Sequence, residues 1–199
     1  MVVPDLTAGS PEGDGLGLEK SEVRLSAHRP AWVHHGQREC ARARALLGGL
    51  ASQVVHVGST AVAGLEAKPI LDIVACVAEG VGTHDVVVAL ETGDADTYEA
   101  DMGEEGGLLF VRGHGETRTV HLHVVAESST AWQDYLRFHA LLVRDARARA
   151  RYQSTKRELA ARFARDRPGY TAAKGAVVRE LLAADRDAED AKGERTRRS

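Results

Sequence analysis

The sequence predicts an α+β domain, in which a small mixed β-sheet is flanked by helices and followed by a helical C-terminal part. Short apolar runs bounded by turn residues indicate strands at 53–57 and 70–78. Two further runs, 108–112 and 119–126, flank a glycine-containing turn and alternate polar with apolar residues, which is typical of a hairpin. After Ser128 the spacing of apolar residues is typical of helices. Strands that are followed by a block of helices favour the α+β class.

The segment before the first strand is predicted to hold a tail and one long helix. Residues 1–20 are rich in glycine and poor in large apolar groups, so we expect a flexible tail. The alternation over 22–26 predicts a short edge strand. Pro30 suits a helix start, Trp32 begins its apolar face, and the pair Gly48-Gly49 is expected to end it.

The middle of the chain is predicted to hold a helix that covers the sheet, followed by a loop or a frayed hairpin. A helix is expected at 81–90, because a parallel or mixed sheet needs a covering crossover there. The acidic, glycine-rich stretch 92–107 indicates a loop or a frayed hairpin.

The last third of the chain is predicted to be helical and to end in a charged tail. Ser129 or Thr130 can cap the first of these helices, and Pro168-Gly169 is expected to break the chain before the last one. The expected helices are 131–150, 152–165 (a second helix or a continuation of the first) and 171–184. Residues 185–199 lack large apolar groups and are expected to stay solvated, which leaves one folded domain at 21–184.

Composition and charge narrow the possible partners and compartments. A net charge of −3 gives no electrostatic case for nucleic-acid binding. The chain has neither an apolar run long enough for a membrane span nor the basic and apolar flanks of a signal peptide, so a cytoplasmic location is expected. Cys40 and Cys76 are interpreted as two buried free thiols, with a disulfide or a metal pair as the alternatives.

The most informative motif is a Gly-Ser turn between the first two strands. Gly58, Ser59 and Thr60 end one apolar run, and Asp72 lies inside the next. A glycine allows close backbone approach, and the two hydroxyls add donors for phosphate oxygens. A carboxylate within a core strand is costly unless it binds a cation or accepts hydrogen bonds. The alternative is a plain turn and a structural acid.

The wording HVGSTAVAGLEAKPILDIV at 56–74 resembles the GrpB family, and a Gly-Ser pair followed by an acid on the next strand is similar to the nucleotidyltransferase fold of the DNA polymerase beta superfamily. The resemblance covers about residues 21–183. It also includes the words RPAW, HLHV, DYLR, KREL and YTAAK. It implies a nucleotidyltransferase-like fold, with Mg²⁺ and ATP or another nucleoside triphosphate as cofactors.

The resemblance also implies a metal site, for which this chain has a different set of candidate ligand residues. Working nucleotidyltransferases are similar in carrying acids at i and i+2 of the second strand, with a third acid on a neighbouring strand. Here Asp72 holds the first position and Val74 the second, while His121 and His123 stand on the neighbouring strand. Asp72 is therefore the expected metal ligand, and all three polar residues are candidate catalytic groups.

Several cations are candidates for binding the phosphates of a nucleotide. Lys68 lies four residues before Asp72. Arg137, Lys156 and Lys174 fall within or beside words that resemble the family. Each is also compatible with an ordinary surface salt bridge.

Three functions remain open from the sequence. The first is binding of a nucleoside triphosphate with Mg²⁺ and transfer of its nucleotidyl group to a small molecule, or activation of that molecule. The second is a non-catalytic module that binds a phosphorylated ligand. The third is a metal-dependent hydrolase built on Asp72, His121 and His123. Neither a membrane nor a nucleic acid is an expected partner, and the oligomeric state is not predicted.

Overall fold

The structure is a computed structural model that describes residues 9–91, 98–101 and 108–197. The strands are β1 (Leu18–Glu19), β2 (Ala51–Val57), β3 (Leu71–Val77), β4 (Glu99–Asp101), β5 (Leu108–His114) and β6 (Thr117–Ala126). The helices are α1 (Ala31–Leu47), α2 (Thr83–Glu91), α3 (Thr130–Arg144), α4 (Ala146–Arg162) and α5 (Arg167–Arg197). The expected α+β class with a mixed sheet is confirmed.

The sheet has the order β2-β3-β6-β5-β4, and β1 pairs with one end of β6. Strands β3 and β6 run parallel, whereas the β2–β3, β5–β6 and β4–β5 pairs are antiparallel. Residue 72 of β3 is opposite residue 121 of β6, and residue 74 is opposite residue 123. The register therefore brings the predicted acid and the two predicted histidines to neighbouring positions.

The two faces of the sheet bury different groups, because side chains alternate along a strand. On one face Ile73 and Leu122 pack with Trp32 of α1 in the largest cluster of buried apolar residues. On the other face Val74 packs with Trp132 of α3. Asp72 lies two residues before Val74 on β3, and His121 and His123 are opposite residues 72 and 74 on β6. All three side chains therefore lie on the α3 face.

The C-terminal helices cover the loop between β2 and β3. Leu65 of that loop is fully buried against Leu142 of α3, Tyr152 of α4 and Leu182 of α5. Asp145 separates α3 from α4, and its carboxylate accepts hydrogen bonds from the backbone N–H groups of residues 147 and 148. A single capping residue therefore divides what the sequence allowed to be one helix.

The ends of the domain differ from the sequence expectation. Leu16 and Leu18 lie in the interior, so the described part of 1–20 is packed against the sheet and not a free tail. No edge strand forms at 22–26, where Ser26 makes a single bridge to Ala67. Pro168 lies in the first turn of α5, where a missing N–H costs no hydrogen bond, and the helix continues to Arg197.

Other expectations concern the middle of the chain. Within 92–107 the structure describes only residues 98–101, and Tyr98 among them is buried. The rest of that stretch, where a loop or frayed hairpin was expected, lies outside the described residues. Cys40 and Cys76 are buried free thiols, as expected. Among the described residues no helix has the length and apolar character that crossing a membrane requires.

Candidate functional site

The turn after β2 is shaped by a glycine that faces the carboxylate of β3. Gly58 has φ 72° and ψ −168°, a backbone conformation that side-chain-bearing residues rarely adopt. A Cβ atom at this position would lie 2.6 Å from Oδ2 of Asp72. Glycine is therefore required both for the conformation and for the close approach of the turn to Asp72.

Asp72, His121 and His123 form one cluster on the α3 face of the sheet. Oδ1 of Asp72 lies 3.5 Å from Nδ1 of His121 and 3.9 Å from Nε2 of His123. One ligand atom from each residue fits within 4.8 Å of the other two. Ligand atoms of a tetrahedral site with bonds of about 2.1 Å lie about 3.4 Å apart, so the spacing of this cluster is close to that of a metal site, provided that the His121 nitrogen facing Asp72 is unprotonated.

The protonation states of the cluster follow from its contacts. Burial lowers the pKa of His121 to about 4 against the opposing attraction of Asp72, so its ring is neutral at neutral pH. Nη2 of Arg167 lies 2.9 Å from Nε2 of His121. Because arginine only donates, Nε2 is the acceptor, and the ring proton resides on Nδ1, which faces Asp72.

Asp72 is held in its ionised form. Burial pushes the pKa of Asp72 upward, but the adjacent imidazoles of His121 and His123, together with the charge of Lys174, hold that pKa well below its usual range. The side chain of Asp72 is 32% exposed, which makes it the most accessible member of the cluster. A negative carboxylate that reaches solvent beside two imidazoles is a suitable ligand for a cation.

A buried lysine connects the Gly-Ser turn to α4. Nζ of Lys156 donates to Oγ of Ser59 over 2.9 Å and also to the carbonyl oxygen of Glu66. It lies 4.8 Å from the ring centroid of Tyr152. Lys156 is only 2% exposed, and burial, with the nearby charge of Lys174, lowers its pKa to about 7.

Two further lysines lie close enough to affect the cluster electrostatically. Burial opposes the charge on Lys174, but Tyr152 and Asp72 raise its pKa above the usual range, so it remains a cation. Nζ of Lys68 lies 5.3 Å from the ring centroid of Tyr170, and its charge helps to lower the pKa of His121. The site therefore combines one carboxylate with three lysines.

The model of the GrpB protein family matches residues 22–184. This chain belongs to the GrpB family. It is 38% identical to a UPF0157 protein of Streptomyces coelicolor over 175 residues, 88% of this chain and 89% of that protein. It is 32% identical to a UPF0157 protein of Halalkalibacterium halodurans over 176 residues, 84% of each chain.

A solved structure of a GrpB protein from Enterococcus faecalis is similar in fold. It aligns with a TM-score of 0.66 at 26% identity and covers 81% of this chain and 98% of that one. In the fold of this chain a Gly-Ser turn follows β2 before antiparallel β3, and β6 runs parallel to β3 beside it. The family resemblance inferred from the sequence is thus confirmed.

Most of the predicted site residues of this GrpB chain come together, and two do not join them. Gly58, Ser59, Asp72, His121, His123, Lys68, Lys156 and Lys174 form the connected set described above. Thr60 is 1% exposed, and its Oγ1 lies 2.9 Å from Nε2 of His56. Arg137 of α3 instead pairs with Asp185 and Glu189 of α5, with Nε 3.0 Å from Oδ2 of Asp185.

Three residues of the site were missed from the GrpB sequence. Arg167 contacts His121, and the ring centroid of Tyr135 lies 5.1 Å from that of His123. The ring centroid of Tyr152 lies 4.8 Å from Nζ of Lys156, beside the same turn. Tyr135 belongs to the same family-like segment as Arg137. Side chains two positions apart on a helix point to different sides, and only the packing of α3 decides which side faces the sheet.

Val74, which stands where the family resemblance implies a second acid, lies in an apolar environment. Its side chain is 0% exposed and packs with Val57, Cys76 and Trp132 under α3. A carboxylate there would be buried in an apolar cluster at high cost. His123 is the residue opposite Val74 on β6.

Proposed function

We propose that this GrpB protein binds a nucleoside triphosphate, such as ATP, together with a divalent cation, and transfers the nucleotidyl group to a small-molecule substrate or activates that substrate. The observation that carries the proposal is that one turn adjoins both a cation ligand and a buried lysine. Gly58 abuts Asp72, while Ser59 bonds to Lys156. A nucleotide–metal complex presents the complementary pair, negative phosphates and a positive ion.

The donor set fits Mg²⁺ in part. Asp72 supplies one carboxylate oxygen, and the remaining oxygen ligands that Mg²⁺ prefers would come from phosphate groups and water. When bound, the ion neutralises developing charge on the phosphates. His121 and His123 offer nitrogen, which suits Mn²⁺ or Zn²⁺ better than Mg²⁺.

Residues of this chain are assigned to the phosphate contacts, the neutralisation of charge and the acceptance of the proton. The hydroxyl of Ser59 and the N–H groups of its turn would contact phosphate oxygens, and Lys68, Lys156 and Lys174 would neutralise them. In the transfer step an acceptor oxygen bonds to the α-phosphorus, the bond to pyrophosphate breaks, and the acceptor's proton leaves. Asp72 is held ionised by its low pKa, which suits a ligand better than a base. We assign proton acceptance to His123, since Nε2 of His121 already accepts from Arg167.

Calorimetric titration with ATP and Mg²⁺ tests the proposal. Ser59→Ala removes one hydroxyl contact to a charged phosphate and is expected to weaken binding about tenfold. Ser154→Ala, at an exposed position of α4, is the matched control and is expected to bind like the unaltered protein. Equal affinity of the Ser59→Ala protein would contradict the proposed phosphate contact. Binding without pyrophosphate release across a panel of acceptors would favour the non-catalytic binding module.

The low pKa of Lys156 predicts that binding takes up a proton. In the free protein this pKa is about 7, so at a pH of about 8 the amine is mostly neutral. A phosphate placed beside it favours the charged form and raises the pKa, so affinity falls as pH rises above about 7. Titration heats in buffers of different ionisation enthalpy measure this uptake. Lys156→Gln is expected to abolish the proton uptake, whereas Arg151→Gln, a substitution at an exposed position of α4, is expected to leave it unchanged. Proton uptake that persists in the Lys156→Gln protein would show that another group takes up the proton.

A second candidate is a metal-dependent hydrolase, which the cluster of one carboxylate and two imidazoles favours. The set is a two-histidine, one-carboxylate arrangement, which suits transition metals. Elemental analysis of protein purified without chelators is then expected to find about one equivalent of Zn²⁺, Mn²⁺ or Fe²⁺, and His123→Ala is expected to lose it. Metal-free protein that also fails to bind these ions when they are added would remove this candidate.

A further inference from the structure

A second cleft lies on the opposite face of the sheet, between α1 and the strands β5 and β6. Its volume is about 220 Å³. Its polar lining consists of His35, Arg38, Glu39, Arg42, Arg112 and Thr119. Leu71 and Val120 line it as well, and the residues that follow them, Asp72 and His121, face the other side of the sheet. The cleft is therefore separated from the site described above by the thickness of one sheet.

One side of helix α1 faces this cleft with polar residues. Residues 35, 38, 39 and 42 are spaced three or four apart, so they share one side of the helix. His35 is 4% exposed, and its Nε2 lies 2.8 Å from Oδ2 of Asp14. One side of α1 therefore presents four polar residues, of which His35 and Glu39 are buried.

The only carboxylate that lines the cleft is already engaged, as far as the described residues show. Glu39 is 4% exposed, and its Oε1 accepts from Nε of Arg112 over 3.1 Å. Nη2 of Arg112 binds Oε2, and the hydroxyl of Tyr98 also donates to Oε1. The bidentate pair fixes the Arg112 guanidinium at the wall of the cleft.

Among the described residues that line the cleft, positive charge exceeds negative charge. They hold three guanidinium groups, those of Arg38, Arg42 and Arg112, and one carboxylate, that of Glu39, which pairs with Arg112. Guanidinium groups present paired N–H donors that match the oxygens of phosphates and carboxylates. The volume is below the range of about 300 to 1,000 Å³ that is usual for drug-sized ligands, so the ligand must be small.

We propose that this cleft is a binding site for a small divalent oxyanion, such as phosphate or a short dicarboxylate. Arg38 and Arg42 contact the ligand from α1, Arg112 contacts it from β5, and the hydroxyl of Thr119 offers a further donor. The Glu39–Arg112–Tyr98 contacts position the central guanidinium. The proposal does not depend on nucleotide binding at the other face.

The test is an NMR titration with sodium phosphate and, separately, sodium malonate, against sodium chloride at equal ionic strength. Saturable shifts are expected for amides of α1 near residues 38–42 and of β6 near residues 119–120. Arg38→Gln/Arg42→Gln removes two charge-assisted contacts and is expected to weaken binding at least about tenfold. Arg147→Gln/Arg151→Gln removes the same charge from exposed positions of α4 and is expected to change little.

Four outcomes would overturn the proposal: no saturable shifts with either anion, shifts centred on Ser59, equal weakening in the α4 control, or equal affinity in the α1 variant. Asp72→Asn is expected to leave these titrations unchanged, which separates this site from the nucleotide site. If the double α1 variant does not fold, Arg38→Gln carries the same test, because Arg38 is exposed and its loss disturbs no packing.

Discussion

Asp72→Asn is expected to abolish cation-dependent nucleotide binding, with a loss of at least about a hundredfold in affinity. The substitution keeps the size of the side chain and removes the negative charge that a divalent ion requires. The effect is expected to be large because, of the three residues in the cluster, only Asp72 carries a negative charge. Calorimetry with ATP and Mg²⁺ measures it directly.

The control for Asp72→Asn is Asp187→Asn, an equal loss of charge at an exposed position of α5. This control is expected to bind like the unaltered protein. Both proteins should show comparable thermal unfolding, so that a loss of binding reports the site and not the fold. If Asp72→Asn bound ATP with undiminished heat and affinity, the proposed role of the cluster in holding a cation would be wrong.

Gly58→Ala is expected to destabilise the fold and to disable the site together. The added Cβ would lie 2.6 Å from Oδ2 and 3.0 Å from Cβ of Asp72, and it would sit on a backbone with φ 72°. Strained backbone of this kind costs about 1 to 3 kcal/mol, and the collision adds to that cost or displaces Asp72. Chemical denaturation measures the free energy of unfolding, and calorimetry measures the lost nucleotide binding.

Gly80→Ala provides a control that isolates the collision from the backbone strain. Gly80 also has a positive φ, 86°, but a Cβ there would meet nothing within 4 Å. We therefore expect Gly80→Ala to cost only the strain and to leave binding unchanged. If the two variants were destabilised equally and both still bound nucleotide, the close approach of the turn to Asp72 would not matter.

The sequence was most informative where the pattern is local. The strand, the Gly-Ser turn and the next strand follow one another within 51–77, so their order and spacing predict the position of Asp72. The shared face of His121 and His123 follows from the period of a strand alone. Each of these inferences needed only neighbouring residues.

The sequence was least informative where a contact joins distant elements. Lys156 meets Ser59 across 97 residues, and Arg137 finds its partners on α5, which no local pattern could place. The sequence pattern predicts the same role for Ser59 and Thr60, because both carry a hydroxyl, yet the hydroxyl of Thr60 lies 2.9 Å from Nε2 of His56. Leu16 and Leu18 lie in a glycine-rich stretch, yet Leu16 packs in the cluster that contains Trp32, and Leu18 lies in β1, which pairs with β6.

The bond between Lys156 and Ser59 also bears on the order of events during biosynthesis. Closing a loop of this length costs entropy that short-range contacts avoid, so this contact forms late. A nascent chain that has exposed only the sheet and α3 still lacks Lys156 and Lys174, which come from α4 and α5. The proposed nucleotide site is therefore complete only after α5 has been synthesised, and fragments that end before α4 are expected not to bind the nucleotide.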